Sequence, residues 1–288
     1  MNYHEPVLLS EVISELNPSP HKIFIDATCG HGGHSQALLS HGAIIYGIDA
    51  DKTNLKIATN RINNKNFYPI LGNFKDIIKI WKKHINNPVD GILVDLGLSN
   101  NQQSESGRGF SFNDNLSIDM RLNPDKQKIS AENIINTYDE EQLYLLFSKI
   151  SQEKFSRPLA QQIIKARQQS PIKTGQRLAS IIKNYFDLKH ISTHINPATK
   201  IFMALRIETN QEFENLNKFL NDSQKIIKKD GKIAIISFHS GEDRIVKNYI
   251  NKHNFKTSRF LPSLNEIKNN HLSRSAILRT YTPIKQNL

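Results

Sequence analysis

The chain has 288 residues, of which 38% are hydrophobic and 23% charged, a composition typical of a globular protein large enough to bury a core. It contains no run of about 18 apolar residues, which excludes a transmembrane helix, and its first residues lack the pattern of a secretory signal. A cytoplasmic location without a membrane partner is therefore expected, and the net charge of +11 favours a polyanionic partner.

A short amphipathic helix is predicted at residues 4–16, and the Asn-Pro-Ser-Pro segment at 17–20 ends it. Four apolar strands are then predicted to begin near Lys22, Ala43, Asn66 and Asp90. These starts are 21, 23 and 24 residues apart, and helix-compatible segments at 35–40, 52–63 and 74–84 separate them. Regular spacing of this kind is typical of successive βα units and predicts a parallel, doubly wound sheet.

The next strand, predicted at 232–238, starts about 140 residues after the fourth, where the βα rhythm predicts about 25. Helical patterns occupy part of the gap, at 139–150, 153–168 and 174–185. The sequence thus predicts an α/β fold with a discontinuous core at 1–105 and 205–288 and an inserted all-helical domain at 106–204. Helices are also expected at 211–228 and 244–251, and a terminal edge strand at 275–281.

The segment from Ile25 to Ser35 has the pattern of a strand that enters a glycine-rich loop and then a helix. A loop of this kind can hold a nucleotide-like ligand through backbone N–H groups, although an ordinary glycine turn has the same pattern. Cys29 is the single cysteine, so an internal disulfide is excluded. A small buried loop residue is expected there rather than a catalytic thiolate activated by His31 or His34.

Two cofactor classes suit this layout, a dinucleotide and S-adenosylmethionine. The dinucleotide motif requires a third glycine, but Ser35 stands at that position and Asp26 precedes the loop. A carboxylate before the loop suits a ligand with a charged amino-acid end. Asp49, at the end of the second strand, is expected to accept the ribose hydroxyls; a helix cap is the alternative, and Asp51 is a neighbouring candidate.

Two further residues follow strand ends, where open α/β folds bind their ligands. Phe74, after the third strand, is expected either to cover an adenine ring or to fill the core. Asp95 ends the fourth strand, the position at which amine methyltransferases hold the acceptor nitrogen. The usual Asn/Asp-Pro-Pro-aromatic motif is absent, so spacing alone predicts only a methyltransferase of unknown acceptor.

Taken together, the motifs resemble those of the bacterial 16S ribosomal RNA cytosine-N4 methyltransferase family over nearly the whole chain. The matching blocks are residues 4–9, 26–34, 90–99, 108–112, 118–121, 196–200, 237–240, 242–244 and 273–275. Local departures are Asn100, Asn196, Lys200 and Gly241. Lys200 lacks the planar fork with which an arginine binds phosphate, so these departures concern RNA contacts rather than the reaction.

The resemblance implies a Rossmann-like methyltransferase core, S-adenosylmethionine as methyl donor, and N4 of a cytidine in the decoding region of 16S rRNA as acceptor. Carried over position by position, the implied cofactor residues are Gly32, Gly33, His34, Asp49, Phe74, Asp95 and Gln102. Gln102 follows from the resemblance alone, and Asp95 is also the expected catalytic residue. The implied partner is 16S rRNA within the small ribosomal subunit, and a homodimer is one oligomeric state that the sequence allows.

Expected RNA-binding residues are Arg108, Phe110, Arg121, Lys200 and His239. Phe110 and Phe112 have the character of stacking surfaces for an extruded base, with an ordered loop as the alternative. His239 is expected near the base, a phosphate or the released proton, with a structural histidine as the alternative. Fewer than half of the basic side chains in the insertion are expected to contact phosphate; the candidates are Arg157, Lys165, Arg167, Lys173 and Arg177.

Two competing functions are a non-catalytic RNA-binding assembly factor on a degenerate methyltransferase fold and a small-molecule methyltransferase. The intact glycine loop, Asp49 and Asp95 argue against the first. A basic helical insertion would have no evident use in the second.

Overall fold

The computed structural model describes residues 6–99, 102, 107–112 and 115–283. The predicted start of the first helix and the departure at Asn100 lie outside these residues. Within the described residues the chain forms two compact units, which fall in the ranges Met1–Ser99 with Phe213–Leu288 and Asn100–Glu212. None of the described helices is both long enough and apolar enough to cross a membrane.

The secondary structure begins with alternating helices and strands. In chain order these are α1 (Leu9–Leu16), β1 (Ile23–Asp26), α2 (Gly33–Ser40), β2 (Ile44–Asp49), α3 (Lys52–Arg61), β3 (Phe67–Leu71), α4 (Ile77–His84) and β4 (Val89–Asp95). Five α-helices follow in the described residues: α5 (Ala131–Thr137), α6 (Glu140–Leu145), α7 (Ser156–Gln169), α8 (Gly175–Leu188) and α9 (Ala198–Asn210). The remaining α-helices and strands described are α10 (Glu212–Ser223), β5 (Ile227–Ser237), α11 (Ser240–Lys252), β6 (Thr257–Phe260), α12 (Leu264–Asn269) and β7 (Ile277–Tyr281).

The strands of the first unit form one mixed sheet, which in the described residues has seven strands in the order β3-β2-β1-β4-β5-β7-β6. β1 to β5 pair in parallel, and β7 is antiparallel to both of its neighbours. Each of the four predicted strands starts within one residue of its expected position, so the predicted doubly wound α/β core is confirmed. The chain order reverses between β1 and β4, and crevices at such switch points are where open α/β sheets bind ligands.

The edge of the sheet differs from the prediction. The segment at 275–281 was expected to be an edge strand, but β7 lies inside the sheet between β5 and β6. The edge is β6, whose Thr257, Ser258 and Arg259 are exposed. A short polar strand shows no apolar alternation, which explains why the sequence pattern missed it. β5 also begins at Ile227, five residues before the predicted start, because Ile227 pairs with Val89 ahead of a polar turn.

Burial on both faces explains why the central strands read as nearly continuous apolar runs. In β4 the residues Val89 and Gly91 to Val94 are all buried. Neighbouring side chains point to opposite faces, so Ile92 and Val94 join one hydrophobic cluster while Leu93 joins another. Two helical layers therefore cover the sheet, and its strand ends are left to form the site.

The second unit is built from α5 to α9 around its own hydrophobic cluster, with Phe147, Leu159 and Leu205 among its fully buried members. Two of its helices begin with capping boxes, Ser130 with Asn133 at α5 and Asp139 with Gln142 at α6. The expected domain boundary between residues 204 and 205 lies inside α9, which continues without interruption to Asn210.

Candidate active site

The loop between β1 and α2 is held open by its glycines and tied to the neighbouring strand. Gly32 is the N-cap of α2 with a φ of 79°, a conformation that side chains disfavour. A β-carbon at Gly32 would also lie 2.6 Å from Ile62 Cδ1. The N–H of Cys29 donates to the carbonyl of Ile48 on β2 at 2.8 Å. The glycine loop is therefore a fixed cradle at the carboxyl ends of β1 and β2.

Asp26, the last residue of β1, is 1% exposed and lies beneath this loop. Ser35 Oγ donates to its Oδ2 at 2.7 Å, whereas Oδ1 makes no well-formed hydrogen bond with any described residue. Burial raises the pKa of Asp26, and the nearby His34 opposes this rise. The backbone N–H of Thr28 also stabilises the carboxylate, but a buried carboxylate has room for further donors and is costly while they are missing. Asp26 thus fits a ligand that brings its own N–H groups, such as an ammonium.

His34 and Asp95 face each other across the switch point. His34 Nε2 lies 3.0 Å from the carbonyl of Val7, and a carbonyl only accepts, so Nε2 carries a hydrogen and donates it. Burial lowers the pKa of the ring and so favours the neutral form, whose lone pair is on Nδ1. That Nδ1 lies 3.9 Å from Asp95 Oδ2. Two acceptors at this separation are suited to a shared donor.

Asp95 is held by one hydrogen bond to its backbone and one to its side chain. Its N–H donates to Thr28 Oγ1 at 2.6 Å, and its Oδ1 accepts from the N–H of Gly97 at 3.2 Å. The side chain retains 24% exposure, yet the surrounding protein raises its pKa to about 6. Near neutral pH, Asp95 is therefore an ionised acceptor that can also take up a proton.

Asp49 braces the same loop from the end of β2. Its Oδ2 accepts from the N–H of Gly30 and its Oδ1 from the N–H of Asp51, both at 2.7 Å. Burial raises its pKa to about 7. Each carboxylate oxygen can accept a second hydrogen bond, as a ribose diol would require. The helix-cap role belongs to Asp51, which accepts from the N–H of Thr53 at 2.9 Å at the start of α3.

Phe74 follows β3 and is half-buried, with its ring packed edge-on against Phe219 at a centroid distance of 5.7 Å. Part of its surface thus belongs to the core, and its contact with an adenine stays a prediction. Cys29 is 5% exposed, with its Sγ 3.6 Å from Ser35 Oγ. Burial raises the pKa of the thiol well above its ordinary value, and the expectation of a small buried loop residue is confirmed.

His239 has a structural task at the start of α11. Its Nδ1 accepts from the N–H groups of Gly241 and Glu242 as the N-cap of that helix. Its Nε2 lies 3.2 Å from Oε1 of the buried Glu242. These contacts favour the structural alternative, and an RNA contact by His239 stays a prediction.

The expected RNA-binding arginines of the helical unit are also engaged by protein groups. Arg121 holds both oxygens of Asp119 at 2.6 and 2.7 Å, and this pair lowers the pKa of Asp119 despite its partial burial. Arg108 donates to the carbonyl of Arg121 at 3.0 Å and lies 5.7 Å from the ring centroid of Phe110. These contacts join residues 108–110 to residues 119–121.

The remaining predicted residues of this unit are Phe110, Phe112, Lys200 and Gln102. The two half-buried phenylalanines pack against the helical core, which agrees with the ordered-loop alternative. Lys200 Nζ lies 3.5 Å from Glu153 Oε2. Gln102 is buried. Their contacts with donor or RNA stay predictions.

Sequence reasoning did not single out two part-buried polar contacts near the candidate site. Thr28 supplies the hydroxyl that fixes Asp95. Asn54, on α3, is 2% exposed and accepts from Ser99 Oγ at 3.0 Å. The sequence feature that could have indicated Asn54 is its position in the first turn of the helix after β2, the strand that ends at the predicted ligand residue Asp49.

A family model described as the MraW methylase family matches residues 1–284. Three curated relatives are named Ribosomal RNA small subunit methyltransferase H. The relative from Clostridium botulinum (strain Loch Maree / Type A3) is 40% identical over 248 residues, which is 85% of this chain and 80% of that protein. The relative from Ureaplasma urealyticum serovar 10 is 37% identical over 301 aligned positions, covering 96% of this chain and 97% of that protein. The relative from Fervidobacterium nodosum is 38% identical, covering 96% of each. This chain therefore belongs to the MraW methylase family.

Proposed function

We propose that this protein is an S-adenosylmethionine-dependent methyltransferase that modifies the exocyclic N4 of a cytidine in the decoding region of small-subunit ribosomal RNA. The observation that carries the proposal is a group of hydrogen-bond acceptors at the carboxyl ends of the parallel strands: Asp26, His34, Asp49 and Asp95. Membership of the MraW methylase family and the names of the relatives support the reaction and the RNA class.

The residues present fit this donor. Asp49 is proposed to accept the ribose hydroxyls, and Asp26, with its unmatched Oδ1, to accept the ammonium of the amino-acid end. The loop at Gly32 and Gly33 is proposed to line the donor, and Phe74 to cover its adenine. When bound, S-adenosylmethionine supplies an electrophilic methyl group on a sulfonium.

The chemical task of the protein is to orient the acceptor nitrogen. The lone pair of cytosine N4 is delocalised into the ring, so the amino group is a poor nucleophile. Acceptors that draw its hydrogens out of the plane of the ring make the lone pair available. Asp95 Oδ2 is proposed to accept one N–H and so direct the lone pair towards the methyl group. With a pKa of about 6, the same carboxylate can receive the proton that N4 releases.

Binding of the nucleoside portion is expected to depend on the ionisation of Asp49. Because burial raises its pKa to about 7, the acceptor form is mostly present at pH 8 and mostly lost at pH 6. If only the carboxylate accepts the ribose, affinity falls about tenfold between pH 8 and pH 6. Calorimetry measures the binding of 5′-methylthioadenosine, a ligand that has the ribose but no amino-acid end, at each pH. Asp49→Asn is expected to bind more weakly and without this pH dependence; an unchanged pH profile in the variant would contradict the role.

The helical unit is proposed to recognise RNA. Of its five candidate phosphate contacts, the three arginines bond to protein: Arg157 to Glu141, Arg167 to the carbonyl of Ile135 and Arg177 to the carbonyl of Pro171. Lys165 and Lys173 are exposed, and neither forms an ion pair within the described part of the chain. They are the better candidates for phosphate contacts.

Replacing both Lys165 and Lys173 with alanine is expected to weaken RNA binding and to reduce the slope of log K against log salt by about 2. The measurement is a salt titration of binding to a 16S rRNA fragment. The control is the double alanine variant of the exposed Lys56 and Lys65, outside the helical unit. Equal slopes for the wild type and the Lys165/Lys173 variant would exclude these lysines from the interface.

The proposed reaction is tested by incubating purified protein, labelled S-adenosylmethionine and small subunits from a strain lacking the gene, and then digesting the RNA to nucleosides. The expected result is label in N4-methylcytidine. Label in another nucleoside would contradict the acceptor atom. Donor binding without label in RNA would favour a small-molecule methyltransferase, and no donor-dependent thermal shift would favour a non-catalytic assembly factor.

A further inference from the structure

The turn that precedes α1 is strained and lies against the glycine loop. Leu8 has φ 54° and ψ 36°, a left-handed conformation that leucine rarely adopts, yet its side chain is fully buried. Pro6 approaches Gly33 so closely that a β-carbon there would lie 2.5 Å from Pro6 Cγ. The turn at residues 6–8 is therefore a fixed covering of the first turn of α2.

A residue 258 positions later holds this turn. Leu8 is the N-cap of α1 and has no side-chain acceptor of its own. Glu266 Oε1 accepts from the N–H of Leu8 at 2.8 Å. Glu266 is itself fixed in the first turn of α12, where its N–H donates to Ser263 Oγ at 3.1 Å. The C-terminal segment thus supplies an acceptor that the sequence of α1 lacks.

The residue next to Leu8 contacts the candidate site. The carbonyl of Val7 accepts from His34 Nε2 at 3.0 Å, which places the proton on Nε2 and leaves Nδ1 as the acceptor facing Asp95. The charged groups around His34 are Asp26, Asp95 and Glu266. A shift of the 6–8 turn would free the ring to take its other tautomer, with Nδ1 carrying a hydrogen.

We propose that Glu266 is a positioning residue for the methyl-donor site: its hydrogen bond to Leu8 holds the Val7 carbonyl against His34 and so fixes the His34 ring with Nδ1 as an acceptor towards Asp95. The part of the proposal that concerns catalysis rests on the proposed function. The part that concerns the His34 tautomer rests only on hydrogen bonds between residues of one compact unit, so it holds whatever the reaction is.

Three variants test the proposal. Glu266→Ala removes the acceptor, Glu266→Gln keeps a carbonyl oxygen that can accept from Leu8, and Asn265→Ala changes an exposed neighbour on α12 as the matched control. The His34 tautomer is read from long-range ¹H–¹⁵N spectra of the ligand-free protein, assigned by comparison with His34→Gln. Affinity for S-adenosylhomocysteine is measured by calorimetry, and the unfolding midpoint is recorded for every variant.

We expect wild type, Glu266→Gln and Asn265→Ala to hold the Nε2–H tautomer. Glu266→Ala should show a mixture of His34 tautomers. Its affinity for S-adenosylhomocysteine should be about fivefold weaker, the size of effect expected when His34 no longer offers one hydrogen-bond acceptor to the ligand. A Glu266→Ala protein with a lower unfolding midpoint but an unchanged tautomer and affinity would overturn the proposal, and so would equal losses in the alanine and glutamine variants. If the proposed reaction is wrong, the tautomer change in Glu266→Ala persists although the wild-type protein places no label in N4-methylcytidine, so the two failures are distinguishable.

Discussion

Replacing Asp95 with alanine is expected to lower the rate of methyl transfer about 10³-fold at saturating donor, the loss typical of removing a fixed electrostatic contact to the reacting group. Asp95 Oδ2 is the acceptor proposed to orient the cytidine amino group. The Thr28 hydroxyl holds the Asp95 backbone in place, and a water molecule in the alanine variant would have neither this fixed position nor the negative charge. The measurement is a single-turnover rate with ribosomal RNA. Donor affinity is measured separately, so that the loss can be assigned to the chemical step.

The matched control is Asp90→Ala, which removes a carboxylate from the opposite end of the same strand. Asp90 accepts from the N–H of Ile23 at 2.8 Å and pairs with Lys228 at 2.9 Å. That variant is expected to have a lower unfolding midpoint and an unchanged single-turnover rate. Full turnover in Asp95→Ala, with normal donor binding, would remove Asp95 from the mechanism.

Asp49→Ala is expected to weaken donor binding about 100-fold, because two charge-assisted hydrogen bonds to the ribose are lost together. The variant also leaves the N–H groups of Gly30 and Asp51 without their acceptor, so the glycine loop loses its brace. Calorimetry with S-adenosylhomocysteine provides the dissociation constant.

Asp51→Ala separates the two neighbouring carboxylates. It removes the N-cap of α3, so we expect a stability loss of about 1 kcal/mol with donor affinity within a factor of two or so of wild type. If Asp51→Ala instead loses the donor while Asp49→Ala keeps it, the ribose contact has been assigned to the wrong residue.

The core of the fold is predictable because its central strands are buried on both faces, and burial in a parallel sheet requires apolar runs. Such runs begin at Ile23, Ile44, Phe67 and Val89 and recur at βα spacing, although β3 at the sheet edge exposes Tyr68 and Leu71. The same reasoning located Asp49 and Asp95, since the carboxyl ends of the strands converge at a switch point. The strand ends therefore predict where the candidate site lies.

The rest depends on tertiary contacts that leave no local pattern. β6 is short and polar, so nothing in its four residues indicates that it forms the sheet edge. Thr28 and Glu266 act through backbone N–H groups distant in sequence, at Asp95 and Leu8. Arg121 is predicted to bind RNA because it flanks the candidate stacking residues Phe110 and Phe112, but only the structure reveals its pairing with Asp119.

The central claim is that this protein methylates N4 of a cytidine in small-subunit ribosomal RNA. The most direct test is nucleoside mass spectrometry of that RNA from a strain without the gene, complemented either by the wild-type chain or by Asp95→Ala. The account predicts that one N4-methylated cytidine disappears in the deletion strain, returns with the wild type and stays absent with Asp95→Ala. Retention of every N4-methylated cytidine in the deletion strain would contradict it.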